Sequence, residues 1–412
     1  MPRAGARSFP TIGTPHMSVA IVHEWMTTLG GSERCVEVFG EIWPDAPLYT
    51  LVADPATCRR LGFAPERVHT SFLQRLPRPT RWYRNYLPLY PLAVEQFDLT
   101  GHDTIVSSSH AAAKGVLTHA EQLHVSYCYS PIRYAWDLTH QYLREGGLTS
   151  GARSAMARAI LHYIRNWDVA TANRVDEFVA ISHYIARRIR RVYRRDAAVI
   201  YPPVDVERFT AGASKEDYFL FVSRLVPYKR ADLVVEVFAK LGLRLLVVGD
   251  GPHMDACRRV AGPSVEFLGF QGDEEVTRLM RGARALVFAA EEDFGIVPVE
   301  AQACGTPVIA YGVGGATETV VPLAHANFDA ATGVYFERQD VESLTGAVRE
   351  FVAAEGHFRT SVLRANAERF SRTRFRREFS DFVEAARAER FGPRRGATRR
   401  ALQPPRRVLV GA

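Results

Sequence analysis

The sequence predicts an α/β protein built from two doubly wound domains. Apolar segments of strand length alternate with segments of helical period from about Ser18 to Phe370, which is typical of parallel sheets covered on both faces. Between two such series, Tyr201 to Asp205 contains consecutive prolines that exclude a helix or a central strand and therefore indicate an interdomain joint. The chain of 412 residues, 47% of them hydrophobic, is long enough for two well-buried cores.

The first series begins with a predicted strand at Ser18 to His23, a turn at Gly30 and Gly31, and a helix from Glu33 to Gly40. It ends with a helix from Ser182 to Arg194 and a strand from Ala198 to Tyr201. The strands predicted between these elements are Pro47 to Val52, Thr104 to Ser107, His124 to Tyr127 and Glu177 to Ile181.

The second series begins after the proline joint and is followed by a helix that carries Phe375, Phe379, Phe382 and Val383 at helical spacing. Its predicted strands are Tyr218 to Ser223, Leu243 to Val248, Val265 to Leu268, Ala285 to Phe288 and Pro307 to Tyr311. The predicted organisation is a disordered N-terminal tail over 1–17, a first domain over 18–201, a second domain over 202–370, a C-terminal helix over 371–390 and a disordered basic tail over 391–412.

Composition and charge exclude several classes of protein. No apolar run reaches the roughly 18 residues of a spanning helix, and there is no hydrophobic signal segment before Met17, an alternative start to Met1. The net charge of +7 comes from the two ends, because the remaining body has 43 basic and 45 acidic residues, so a nucleic-acid partner is not expected. Five scattered cysteines without metal-binding spacing fit a reducing, cytoplasmic compartment.

An acidic segment follows the strand that ends at Phe288. Pro298 is predicted to be the first residue of the next helix, which places Glu292 in the loop and Glu300 in the first helical turn. Ligands of open α/β sheets bind at this edge, where carboxylates can accept hydrogen bonds from sugar or ribose hydroxyls. The alternative is that Glu300 only caps its helix and that the loop is a solvated acidic turn.

Backbone groups of the same loop could hold an anion. Free N–H groups at a helix N-terminus attract phosphate, and those expected here belong to Phe294, Gly295, Ile296 and Val297. Gly30 and Gly31, and the later Gly312, Gly314 and Gly315, could also let the backbone approach a phosphate, although two-glycine turns are more often only tight turns.

A cationic segment follows the first strand of the second domain. Arg224 offers a planar fork for phosphate oxygens and Lys229 a mobile charge, so together they could neutralise a diphosphate leaving group. The alternative is a cationic turn paired with a neighbouring acid. In the first domain, His110 follows a run of serines at a strand end, where small residues leave room for a ligand, although a lone histidine is usually structural.

The sequence carries no D-x-D pair suited to a bound divalent ion and no arrangement typical of a nucleophilic triad. It therefore predicts a site without metal or other cofactor, in which cationic side chains and helix N-termini hold phosphates.

Together these segments resemble family 4 glycosyltransferases of the GT-B fold, in which two Rossmann-like domains face each other across a cleft. The resemblance covers about Ser18 to Phe370. It rests on Val222 to Arg230, on the seven residues between Glu292 and Glu300, on Gly305 to Gly315, on His23-Glu24-Trp25, and on Tyr129 to Asp137. The first-domain segments are similar to the branch of WbaZ-type mannosyltransferases of O-antigen synthesis.

The resemblance implies a retaining hexosyltransferase whose leaving phosphate helps to deprotonate the acceptor. It assigns Arg224 and Lys229 to the donor diphosphate, Glu300 to the ribose, and Glu292 with Phe294 to Val297 to the transferred sugar. His110 would lie beside that sugar, and Gly31, next to Gly30, would face the diphosphate across the cleft. The donor implied by the branch is GDP-mannose, with a UDP-sugar as the alternative.

The implied acceptor is a growing, lipid-linked cell-surface glycan. Basic and aromatic residues alternate from Arg75 to Tyr86, and Arg187 to Arg195 form a basic helix; both surfaces suit an anionic membrane, here the cytoplasmic leaflet. The alternative is a solvated basic face. An epimerase, a phosphorylase or a non-enzymatic sugar-nucleotide sensor could use the same fold.

Overall fold

The protein forms two parallel sheets in the computed structural model, which describes residues 17–212, 214–323 and 328–392. The predicted tails at 1–17 and 391–412 lie outside this range, except for residues 17, 391 and 392. Each sheet begins with a central strand, adds strands outward on one side and then on the other, and so has the doubly wound order that the sequence predicts.

The first sheet has seven strands within the described residues, in the order β3-β2-β1-β4-β5-β6-β7, all paired in parallel. The strands are β1 (Val19–Met26), β2 (Leu48–Ala53), β3 (Val68–Thr70), β4 (Thr104–Ser109), β5 (Leu123–Cys128), β6 (Glu177–Ala180) and β7 (Ala198–Val199). The helices around it are α1 (Gly31–Ile42), α2 (Pro55–Arg60), α3 (Pro79–Trp82), α4 (Tyr90–Glu95), α5 (Thr139–Glu145), α6 (Gly151–Ala172) and α7 (His183–Tyr193).

The second sheet has six described strands in the order β10-β9-β8-β11-β12-β13, again all parallel. The strands are β8 (Phe219–Val222), β9 (Leu245–Val248), β10 (Val265–Gly269), β11 (Leu286–Phe288), β12 (Val308–Tyr311) and β13 (Gly333–Phe336). The helices of this part are α8 (Ala231–Leu241), α9 (Met254–Val260), α10 (Asp273–Gly282), α11 (Ile296–Ala303), α12 (Ala316–Thr319), α13 (Val341–Ala354) and α14 (Thr360–Glu368).

The last helix, α15 (Arg372–Phe391), returns to the first domain. Its buried aromatic residues pack there, with the Phe379 ring centred 4.7 Å from Phe39 and 5.6 Å from Tyr127. The chain therefore crosses between the domains twice, and the crossings touch where the Val204 N–H donates to the Phe370 carbonyl at 2.8 Å. The predicted proline joint lies at this double crossing.

The order of each sheet reverses beside its central strand, between β1 and β4 in the first and between β8 and β11 in the second. Parallel strands that diverge in this way leave a crevice at their carboxyl ends, which is where such sheets bind ligands. The segments that follow these four strands carry most of the residues singled out from the sequence.

Candidate active site

A cavity of about 790 Å³ lies between the two domains. Its first-domain wall includes Gly31, Tyr129 and Arg133, and its second-domain wall comes from the segments after the strands β8, β9, β10 and β11. Eight of the site residues expected from the sequence line it, namely Gly31, Arg224, Lys229, Glu292, Phe294, Gly295, Ile296 and Val297. The structure places Gly30, His110 and Glu300 outside the wall.

Two cations enter the cavity from the segment after β8. Arg224 is exposed, and among the described side chains none forms an ion pair or a hydrogen bond with its guanidinium. Lys229 ends a short 3-10 turn and is 17% exposed. Burial and the nearby Arg133 lower the pKa of Lys229 to about 8, while Asp293 acts in the opposite direction. Both groups are thus available to an anion in the cavity.

Lys229 also forms an ion pair with the carboxylate of Glu292. This contact joins the cationic segment after β8 to the acidic loop after β11. For Lys229 it agrees with the alternative given by the sequence, a cation paired with a neighbouring acid. The same reading does not apply to Arg224, which has no carboxylate partner among the described residues.

The acidic loop after β11 passes through a left-handed glycine before its helix begins. Gly295 has φ of 87°, a conformation that glycine adopts without strain, and α11 starts at Ile296. Pro298 is therefore the third helical residue, not the first as predicted, and Glu300 is the fifth, two positions further into the helix than predicted and in its second turn. The first N–H groups of α11 lack helical acceptors and lie in the cavity wall.

Glu300 lies beside the cavity, partly buried. Burial raises the pKa of Glu300, and Arg208 and Arg34 lower it in part. The carboxylate is thus held in a less solvated place, with two arginines nearby.

The turn after β12 packs against this loop, and its glycines do not line the cavity. The Gly315 N–H donates to the Glu292 carbonyl at 2.7 Å, and a Cβ at Gly315 would lie 2.2 Å from the Phe294 Cα. A Cβ at Gly314 would lie 2.5 Å from the Glu292 carbonyl oxygen. Because these two positions carry no side chain, the turn after β12 packs directly on the backbone of the acidic loop and supports it.

A similar pair of glycines supports the cationic segment and was not singled out from the sequence. Gly249 and Gly251 have φ of 124° and 158°, and a Cβ at either would lie within about 2.2 Å of a carbonyl oxygen, that of Ser223 or that of Leu225. The turn after β9 therefore fixes the backbone on both sides of Arg224.

Asp293 forms a charged contact between the domains at the cavity with Arg133, and sequence reasoning did not select either residue. Asp293 lies 3.5 Å from Arg133 and 3.1 Å from Arg188, both in the first domain. Burial raises the pKa of Asp293 although both arginines lower it. Arg133 lies within the Tyr129 to Asp137 segment, one of those that carried the family resemblance. That resemblance was the one signal in the sequence that could have pointed to Arg133.

The start of α7 is bound to the second domain. The carboxylate of Glu318 accepts hydrogen bonds from the N–H groups of His183 and Tyr184, both at 2.8 Å. Ser182 Oγ donates to the Asp293 carbonyl at 2.6 Å. These contacts hold the acidic loop against the first domain.

On the first-domain side, glycine allows a close approach. A Cβ at Gly31 would lie 2.8 Å from Ile296 Cδ1 of the second domain. Gly30 caps α1, and its N–H donates to Glu33 Oε2 at 3.0 Å. Gly30 therefore shapes the turn while Gly31 faces the cavity.

His110 lies next to the cavity wall, with its ring centred 6.1 Å from Tyr129. Its side chain is 27% exposed, and Nδ1 is 3.2 Å from Oε2 of the fully buried Glu24. Glu24 was part of the segment quoted for the resemblance but received no role from the sequence.

Within residues 17–212, 214–323 and 328–392, no group of three or more His, Cys, Asp or Glu side chains is placed to hold a metal ion. In the same ranges no helix has the length and apolar character needed to span a bilayer.

Comparison with known proteins finds similarity to glycosyltransferases. Residues 205–370 match the family model described as glycosyl transferases group 1. The D-inositol 3-phosphate glycosyltransferase of Mycobacterium marinum is 30% identical over 216 residues, 45% of each chain. A GDP-mannose-dependent monoacylated alpha-(1-6)-phosphatidylinositol monomannoside mannosyltransferase of Corynebacterium glutamicum is 32% identical over 211 residues, 43% of this chain and 53% of that protein. The chain thus spans about half the length of the curated relatives it matches.

Solved structures match over a larger part of the chain. Anabaena Alr3699/HepE, crystallised with UDP, superposes with a TM-score of 0.65 at 18% identity and covers 90% of this chain and 100% of its own. The apo form of the lipopolysaccharide outer core galactosyltransferase WaaB gives 0.59 at 17% identity, over 90% and 98% of the two chains. These structures confirm the predicted GT-B fold, and the match over the second domain agrees with the predicted glycosyltransferase family.

Proposed function

We propose that this protein is a retaining glycosyltransferase that transfers a hexose from a nucleotide-sugar to a glycan or lipid-linked acceptor. The observation that carries the proposal is the convergence of Arg224, Lys229, Glu292 and the start of α11 in one interdomain cavity. Breaking a sugar-phosphate bond leaves negative charge on the diphosphate and positive character on the sugar. Arg224 and Lys229 are placed to stabilise the first, and the Glu292 loop faces the second.

The second domain supplies the groups that would bind the donor in this mechanism. The first N–H groups of α11 would orient the sugar or a phosphate oxygen. Lys229 would leave Glu292 for the diphosphate, which frees the carboxylate to accept a hydrogen bond from a sugar hydroxyl. Front-face attack, with the leaving phosphate taking the acceptor proton, needs no nucleophile from the protein and no metal or other cofactor.

For the donor we propose GDP-mannose. The relative from Corynebacterium glutamicum is named as GDP-mannose-dependent, and its similarity to this chain, 32% over 211 residues, supports the choice. A UDP-sugar is the second candidate, since Alr3699/HepE of similar fold was crystallised with UDP and glucose. Gln271 lies in the cavity wall after β10, where its Nε2 donates to the Leu268 carbonyl at 2.6 Å and leaves Oε1 for a base.

A thermal-shift titration tests donor choice without an acceptor. A ligand at about 100 times its Kd stabilises a protein by about 2.7 kcal/mol, so GDP and GDP-mannose should raise Tm clearly more than UDP, UDP-glucose and UDP-N-acetylglucosamine. Selective stabilisation by uridine ligands would mean that the donor is a UDP-sugar and would leave the proposed site unchanged. No response to any of the five would contradict the glycosyltransferase proposal.

We also propose that the protein binds anionic membrane surfaces through the segment from Arg75 to Leu92. This segment contains no acidic residue, and Trp82 and Leu92 are 38% and 64% exposed. Its exposed large or basic side chains are Arg75, Arg78, Arg81, Trp82, Arg84, Leu89 and Leu92. The basic helix expected at Arg187 to Arg195 contributes less, because Arg188 pairs with Asp293 and Arg195 donates to three backbone carbonyls.

Reversing three charges of this segment should weaken vesicle binding. Each arginine near an anionic bilayer contributes about 1 kcal/mol, and the glutamates add repulsion, so the triple variant Arg78→Glu, Arg81→Glu and Arg84→Glu should lose about a hundredfold or more in affinity for phosphatidylserine vesicles at low salt. The matched variant Lys240→Glu, Arg244→Glu and Arg258→Glu changes the same number of charges on the second domain and should lose much less. Equal losses in both variants would sink the assignment of this surface.

A further inference from the structure

Glu24 is a fully buried carboxylate in the central strand of the first sheet. Its Oε1 accepts hydrogen bonds from the N–H groups of four successive residues at 3.0, 2.8, 3.0 and 3.1 Å and from Ser109 Oγ at 3.2 Å. The four N–H groups are those of His110, Ala111, Ala112 and Ala113. Consecutive N–H groups that converge in this way bind anions, and here the protein supplies the anion itself.

The second oxygen of Glu24 faces imidazoles. Oε2 lies 3.2 Å from His110 Nδ1 and 3.7 Å from His23 Nδ1. The His23 nitrogen is already engaged, because it lies 3.1 Å from the Ser108 carbonyl and 3.0 Å from Ser108 Oγ. Oε2 is buried and has no hydrogen-bond partner among the described residues, and His110 Nδ1 is the nearer of the two imidazole nitrogens beside it.

Electrostatics keep this carboxylate ionised. Burial alone would raise the pKa of Glu24, but His110, His23 and the N–H groups of the loop outweigh it, and the pKa lies below its usual range. An ionised carboxylate accepts hydrogen bonds only, so in the neutral form of His110 it favours the tautomer that carries its hydrogen on Nδ1. In that tautomer Nε2 can accept a hydrogen bond from a ligand.

We propose that Glu24 is a positioning residue for His110: one oxygen fixes the loop that carries the histidine, and the other fixes the tautomer that it presents to a sugar hydroxyl. This rests on the proposed function and on the expectation from the family resemblance that His110 lies beside the transferred sugar. A carboxylate that served only the loop would need Oε1 alone, whereas here Oε2 also lies beside the His110 imidazole.

The variant Glu24→Gln separates the two roles. The amide oxygen can still accept hydrogen bonds from the N–H groups of the loop. The amide NH₂ then faces His110 Nδ1 and favours the tautomer of His110 with hydrogen on Nε2. We expect turnover to fall about tenfold to a hundredfold, as is typical when the residue behind a functional histidine is changed. Glu95→Gln is the matched control, because Glu95 is a half-buried carboxylate of the same domain that binds Trp167 and Arg174 away from the cavity.

Two measurements decide the proposal. Nitrogen NMR reports which imidazole nitrogen carries the hydrogen, and the His110 signals are assigned by their loss in His110→Gln. The hydrogen should be on Nδ1 in the wild type and on Nε2 in Glu24→Gln. In a double-mutant cycle, Glu24→Gln should cost little further activity once His110 is alanine, because it acts through the histidine. The same tautomer in both proteins, or losses that simply add, would overturn the proposal.

The NMR result does not depend on catalysis. If the wild type neither transfers nor hydrolyses any nucleotide-sugar while the tautomer changes as expected, the proposed function fails and the Glu24–His110 pair stands. If the wild type is active and the tautomer does not change, only the inference about Glu24 fails.

Discussion

Arg224→Ala and Lys229→Ala are each expected to lower turnover about a hundredfold or more while the protein stays folded. Removing one preorganised group that stabilises transition-state charge costs about 3 kcal/mol of barrier. Arg224 is exposed and without a side-chain partner, so its loss removes no contact within the described structure. Release of nucleotide from the donor, with water as acceptor, measures the rate before the natural acceptor is identified.

Lys240→Ala is the matched control for these variants. Lys240 is a cation of the same domain, 59% exposed, that pairs with Glu236 on α8. It should keep the wild-type rate, and far-ultraviolet circular dichroism should be unchanged in all three proteins. Wild-type turnover in either Arg224→Ala or Lys229→Ala would remove that residue from the mechanism.

Gly315→Ala is expected to reduce kcat/KM for the donor about a hundredfold although residue 315 does not line the cavity. The new Cβ would lie 2.2 Å from the Phe294 Cα and 2.5 Å from the backbone nitrogen and oxygen of Phe294. Such a clash between the new Cβ and the Phe294 backbone is relieved by moving the loop that carries Glu292. A displacement of about 1 Å is enough to cost a hundredfold in rate.

Gly346→Ala provides the comparison for this variant. Gly346 lies in α13, and a Cβ there meets nothing within 4 Å, so alanine should stabilise the fold by about 0.4 to 1 kcal/mol without altering donor kinetics. Calorimetric titration with nucleotide-sugar measures affinity in both variants. If Gly315→Ala binds and turns over the donor like the wild type, the Glu292 to Val297 loop is not part of the site.

Hydrophobic patterning was sufficient to predict most of the two sheets, because buried parallel strands are short continuous apolar runs. It missed two strands, β3 and β13. β3 has three residues at the sheet edge and two of them are exposed, so its local sequence lacks this signal. β13 does carry the signal in Val334 to Phe336, but this apolar run is only three residues long and follows Gly333.

For the candidate site, the sequence predicted which segments line the cavity better than it predicted the contacts that their side chains form. Strand-end positions placed Arg224, Lys229 and Glu292 at one sheet edge, and the structure brings them into one cavity. The role of Asp293 was not predictable, because its partners Arg133 and Arg188 belong to the other domain and meet it only through the arrangement of the two domains.

Glu24 is a different case, since its local sequence did carry a signal. A histidine and a glutamate interrupt a strand that is otherwise apolar, and a buried charge needs partners. The sequence could not identify those partners, because the N–H groups that bind Glu24 follow β4, more than 80 residues away. Buried charged residues in central strands are therefore useful places to look for positioning roles.

A crystal structure with bound GDP-mannose would show where the donor lies. We expect the diphosphate in the interdomain cavity within hydrogen-bond distance of Arg224 and Lys229, with the hexose against the loop from Glu292 to Val297. A nucleotide-sugar bound elsewhere, or one whose phosphates contact neither cation, would contradict this expectation.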